Sequence, residues 1–89
     1  MTALDLDGWA VATESGVGID DTLREPRLCD VFNRRLYGYC AQRGAAIRTR
    51  PIVRLRRTGG VLEAHAQDGE VYRLGECVWR RLGGGRTER

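Results

Sequence analysis

From residue 47 to residue 73 the chain alternates with the two-residue period of a β-strand, and glycine-bearing turns cut that run into hairpins. Over residues 47–56, Val53 and Leu55 share one parity, while Arg48, Arg50, Arg54 and Arg56 share the other; Ile52 is the exception. Pro51 has no N–H to give a ladder, so the strand is either an edge or broken there. Gly59-Gly60 marks a turn into residues 61–66, whose even positions Leu62, Ala64 and Ala66 are apolar. Asp68-Gly69, with a strand on each side, predicts a two-residue type I′ hairpin joining residues 64–67 to 70–73. Gly75-Glu76 begins a further turn, and residues 77–82 read as a last strand.

The first half of the chain is less regular. Trp9 and Val11 share a strand parity, and Glu14-Ser15-Gly16 reads as a turn into a short return over Val17-Gly18-Ile19, or into a loop, since glycine weakens strands. Asp20, Asp21 and Thr22 offer capping oxygens, Thr22-Leu23-Arg24-Glu25 matches a capping box, and Pro26 suits a first helical turn. These signals predict a helix that begins between Asp21 and Pro26 and ends near Gly44. At 100° per residue, Leu28, Phe32, Leu36, Tyr39 and Cys40 would share its buried face, with Asp30 and Arg34 paired on the exposed side. Gly38 would cost this helix about 1 kcal/mol relative to alanine, so it either admits a close neighbour or is a weak point. Phe32, Leu36 and Trp79 are expected in one core. The resulting fold class is α+β: a small antiparallel sheet or curled partial barrel of about 4–6 short strands, packed on one central helix.

A chain of 89 residues makes one small domain. We place it over residues 1–82 and expect residues 83–89 to form a disordered Gly/Arg tail. Its 42% hydrophobic and 30% charged content is that of a globular chain. No apolar run approaches the roughly 18 residues of a membrane span, and the N-terminus has no signal-peptide pattern, so a cytoplasmic protein with no membrane partner is expected. Three cysteines without a C-x-x-C pair fit reduced, buried thiols better than a disulfide framework.

Catalytic and metal chemistry find little support. His65 has the outward parity. Cys29, Cys40, Cys77 and His65 are suitable zinc ligands by type, but on one helix Cys29 and Cys40 would stand about 16 Å apart along the axis. Ser15 is the sole serine, in a turn without a local partner. Asp5-Leu6-Asp7-Gly8 resembles the start of a phosphotransfer motif, but nothing in so short a chain would hold such a site. In Gly16-Val17-Gly18 the third glycine of a phosphate loop is replaced by Asp21. A non-enzymatic protein with no metal and no cofactor is expected.

Charge carries the functional expectation. All fifteen basic residues are arginines that follow residue 22, whereas residues 1–22 hold five carboxylates and no base, so a formal +3 hides an acidic head and a basic body. Arginine offers a planar fork of donors suited to carboxylates and phosphates. Arg48, Arg50, Arg54 and Arg56, joined by Arg57 and Arg73 and by Arg80 and Arg81, would make one basic sheet face, with Tyr72 or Trp79 offering stacking. That face would dock an acidic protein; its alternatives are a nucleic-acid-binding small barrel and a solvated surface offset by Glu63, Glu70 and Glu76. The acidic head would repel nucleic acid and suits a protein partner or a homodimer. The expectation is a small interaction protein of the accessory or inhibitor kind found in bacteria and phages, anti-CRISPR and other anti-host inhibitors among them.

Overall fold

The computed structural model describes residues 3–81; Leu82 and the expected tail over residues 83–89 lie outside the described residues. Six strands, β1 (Leu4–Val11), β2 (Leu36–Cys40), β3 (Ala45–Arg48), β4 (Ile52–Thr58), β5 (Val61–Ala66) and β6 (Val71–Leu74), form one sheet in the order β3-β2-β1-β6-β5-β4. β1 runs parallel to β6 and every other pair is antiparallel. Two four-residue helices, α1 (Leu28–Val31) and α2 (Val78–Arg81), complete the described chain.

The two ends of the sheet are tied together at one corner but do not pair along their length, so the outer edge of β4 stays open. β3 and β4 are its outermost strands yet are consecutive in sequence, and residues 49–51 turn the chain from one to the other around Pro51. On one side of this corner Thr49 N–H donates to Leu36 O at 2.8 Å, and Leu36 N–H donates to Thr49 Oγ1 at 2.9 Å. On the other, Gln67 N–H donates to Pro51 O at 2.9 Å. Asn33 N–H donates to Ile52 O at 2.6 Å and Ile52 N–H to Arg34 O at 2.8 Å, so two residues oppose one. With Asn33 left-handed at φ 66°, this is a β-bulge of the glycine type with asparagine in the glycine position.

The fold is therefore mostly β, and the α+β class with one central helix is corrected. No long helix spans residues 21–44. Asp20 Oδ1 accepts from Thr22 N–H at 3.0 Å and from the Thr22 hydroxyl, a local turn that competes with a helix cap. Helical geometry lasts only through α1 before Phe32 extends and Asn33 turns left-handed. Leu36, Gly38 and Cys40 then point inward and Tyr37 and Tyr39 outward, the alternation of β2. Leu36 and Cys40, four apart, satisfy a helical and a strand period alike, and Gly38 decides between them. A Cβ on Gly38 would lie 2.7 Å from Leu6 Cγ, so β1 and β2 approach as closely as they do because Gly38 has no side chain. The expected last strand is corrected as well: Cys77 makes a single bridge to Trp9, and α2 follows it.

The turns exchange roles. Gly59 and Gly60, at φ 58° and 84°, form the two-residue turn between Thr58 and Val61 with both central residues left-handed, as type I′ requires. Asp68-Gly69 instead belongs to a three-residue loop closed by Ala66 N–H donating to Glu70 O at 2.8 Å, with only Gly69 left-handed, at φ 92°. Asp68 Oδ1 accepts from Glu70 N–H at 3.1 Å and steadies that loop.

In the core that the sheet covers, Leu6, Val11, Val31, Leu36, Cys40 and Ile52 are fully buried beside Trp9, Tyr72 and Leu74. Leu36 thus takes its expected place in the core. Phe32 is half exposed, and Trp79 is only partly buried, on α2.

Candidate binding surface

Strand register arranges the outer face in rows. Arg56 stands opposite Glu63, Glu63 opposite Arg73, and Arg73 opposite Asp5, so charge alternates in sign across β4, β5, β6 and β1. Arg73 Nη2 lies 2.8 Å from Asp5 Oδ1, while Asp5 Oδ2 accepts from Gln42 Nε2 at 2.7 Å. In the adjacent row Arg54 faces His65, whose Nε2 is 3.6 Å from Glu63 Oε1. Opposite charges directly across a ladder support the sheet and reduce the field that the face presents.

The expected arginine surface is thereby divided. Arg48 sits on β3, at the other end of the sheet order, and its Nη1 donates to Gly16 O at 2.9 Å. Beside it the Tyr37 hydroxyl accepts from Gly18 N–H at 3.0 Å and donates to Gly16 O at 3.2 Å, so the two side chains brace the loop over residues 13–18. The Gly18 bond, helped by Arg48, holds the Tyr37 phenol below its ordinary value. Arg73 is spent on Asp5. Tyr72 faces into the core at 2% exposure, and burial, with Asp68 adding, pushes its phenol above the ordinary value. Trp79 carries the Arg24 guanidinium 4.6 Å from its ring centroid. Tyr72 therefore presents no ring face for stacking, and Trp79 has one face taken by Arg24.

Arg54, Arg56 and Arg57 follow one another along β4, the first two on its outer face and Arg57 on the Leu55 side, and Arg50 lies at the corner before it. All four are exposed, and among the described residues none has an ion pair or side-chain hydrogen bond. Most of the other described arginines are engaged. Arg27, Arg34 and Arg43 pair with Asp30, Asp20 and Glu70, and Arg35 donates to Thr49 O. Arg80 stands exposed on α2, away from the cluster.

Apolar groups adjoin this cluster. Phe32 precedes Asn33 and Val53 follows Ile52, the two residues whose main chains meet, and both side chains are exposed, at 49% and 44%. Leu28, one helical turn before Phe32, is 50% exposed. Beside Phe32 opens a cleft of about 450 Å³ lined by Glu14, Cys29, Asp30, Asn33 and Arg34. Arg34 crosses it, donating to Ala12 O at 2.7 Å and pairing with Asp20 at 3.4 Å. Asp20 is held below the usual carboxylate range by Thr22 first and Arg34 second. Sequence periodicity assigned Phe32 to the core and missed its place here; the signal was Asn33, a residue that tolerates left-handed backbone and so ends a helix.

The thiols are scattered: Cys29 is exposed on α1, Cys40 is buried at the end of β2, and Cys77 lies partly buried beside Trp9. The expectation of three buried thiols is thus corrected at Cys29. Among the described residues no three His, Cys, Asp or Glu side chains gather closely enough to hold a metal ion. No helix among them is long and apolar enough to cross a membrane. Comparison with protein-family models, with curated proteins and with solved structures finds no match for this chain.

Proposed function

We propose that this chain is a small non-enzymatic interaction protein, of the accessory or inhibitor kind, that binds an acidic surface of another protein through β4 and the corner before it. One observation carries the reading: Arg50, Arg54, Arg56 and Arg57 stand exposed without partners among the described residues, while most other arginines are neutralised or tied to the fold. Arginine beside an exposed aromatic is the composition that dominates binding energy at protein interfaces, and Phe32 supplies the aromatic. A nucleic-acid surface would combine its cations with stacking rings. Of the rings expected for that role Tyr72 is buried and Trp79 carries Arg24, which leaves Phe32 alone beside the cluster, and nuclease treatment separates the two partners.

The test is affinity capture from nuclease-treated lysate with wild type and with the variant Arg50→Gln, Arg54→Gln, Arg56→Gln, Arg57→Gln. The variant Arg27→Gln, Arg43→Gln, Arg73→Gln, Arg80→Gln removes the same number of charges elsewhere and serves as the control. A protein held by wild type and by the control, but released by the quadruple variant, supports the reading. Capture that disappears with nuclease, or that the quadruple variant retains, overturns it.

A further inference from the structure

Among the described residues the outer edge of β4 brings unpartnered arginines to unpartnered main chain, and strand geometry says which groups are on offer. In an antiparallel ladder each residue directs both its N–H and its C=O to the same neighbour, and successive residues alternate. Ala66 donates to Glu70 O, so Leu62, Ala64 and Ala66 turn their main-chain groups toward β6 and Val61, Glu63 and His65 turn theirs toward β4. Arg54, Arg56 and Thr58, which lie opposite His65, Glu63 and Val61, are therefore bonded to β5. Leu55 and Arg57 point theirs out of the sheet. Ile52 turns outward too, bonding to Asn33 and Arg34 on the other side, because the register shifts between Ile52 and Arg54 and resets the alternation there.

We infer that the outer edge of β4 accepts an added strand: an extended segment of the partner protein that carries acids at alternate positions. This rests on the proposed acidic-protein reading and names its mode. Main-chain bonds to Leu55 and Arg57 would hold the incoming segment, as in other cases of strand addition. Arg54 and Arg56 share the outer face two residues apart, so carboxylates two residues apart on the added strand match their spacing. The alternate positions of that strand fall on the Leu55 side and suit apolar residues, with Phe32 and Val53 at the near end. A second copy of β4 is a poor occupant, because it would set Arg54, Arg56 and Arg57 against their own kind. Arginine on an edge can also serve simply to repel such self-pairing, and the test separates that role from binding.

The experiment measures anisotropy of a fluorescent peptide of alternating Val and Glu, about eight residues long, against the full chain. It compares this peptide with two analogues N-methylated on one or the other main-chain parity, and with a Glu-Gly peptide of equal charge. The alternating peptide should bind, and the Glu-Gly peptide more weakly. Methylation of one parity should weaken binding at least about tenfold, because it removes two main-chain bonds, and methylation of the other should change it little. Arg57→Pro, which deletes an outward N–H, should weaken binding beyond Arg57→Gln. Equal binding of both methylated analogues and the parent overturns strand addition and leaves the acidic-protein reading in place. So does failure of every peptide to bind while the quadruple glutamine variant still releases a captured protein. If that variant releases nothing and no peptide binds, both fail, and the arginines only guard the edge.

Discussion

Asn33 N–H meets Ile52 O at 2.6 Å, and this contact joins the segment leading into β2 to the start of β4. It does two things at once. It ties the ends of the sheet together at the corner around Pro51, and it leaves Phe32 exposed next to the start of β4 instead of within the core.

The left-handed backbone at residue 33 can be tested by substitution. Asn33→Gly should leave stability within about 0.5 kcal/mol, whereas Asn33→Val should cost about 1–2 kcal/mol or more, because a β-branched residue resists φ near 66°. Urea denaturation of the two variants decides; equal stability would remove the bulge.

Gly38→Ala separates strand from helix more sharply. In an exposed helix the change would stabilise by about 1 kcal/mol. In β2 the new Cβ would meet Leu6 Cγ at 2.7 Å and Asp7 O at 3.2 Å, so a loss of about 1–3 kcal/mol is expected. A gain in melting temperature would contradict the observed packing of β1 on β2.

The features legible in the sequence were those set by neighbours along the chain. Alternation around Ala64 and Tyr72 located β5 and β6, and Pro51 marked the break before β4. The alternation read at Val53 is corrected, because the register shift between Ile52 and Arg54 buries Ile52 and exposes Val53. β2 was not legible, because Leu36 and Cys40 fit two periods and the steric demand on Gly38 comes from Leu6, far away in sequence. The binding surface was half legible for the same reason. Arg54 and Arg56 share a parity that can be read locally, but the loss of Arg73 to Asp5 depends on the parallel pairing of β6 with β1, and the loss of Arg48 depends on the loop at Gly16. Tyr72 has the parity of Ala64 across the hairpin, an inward position that its aromatic character obscured.

Truncating the two apolar residues Phe32 and Leu36 should give opposite phenotypes. Leu36→Ala empties a fully buried site and should cost about 2–5 kcal/mol. Phe32→Ala should cost less than about 1 kcal/mol yet weaken partner binding, since the ring is half exposed. Denaturation and capture measured on the same two proteins check both halves.

Alkaline stability should depend on Tyr72. Its phenol is raised in the folded state, so its contribution is fully present below the unfolded value near 10 and is lost as pH rises through the higher folded value. Tyr37, held low by Gly18 N–H, acts with the opposite sign. Denaturation of wild type and Tyr72→Phe between about pH 9 and about pH 11 should show wild type losing stability more steeply than the variant. Parallel curves would place the Tyr72 hydroxyl in water.

The most direct measurement is a titration of the ¹⁵N-labelled chain with the alternating Val-Glu peptide, followed by amide chemical shifts. Binding through the unpartnered arginines predicts the largest changes at Leu55 and Arg57, with smaller ones at Arg50, Val53, Arg54, Arg56 and Phe32, and little change at Arg48 or Arg73. Shifts concentrated on the braced loop at Val17, on Arg48 or along the Asp5–Arg73 row, with β4 unmoved, would contradict it.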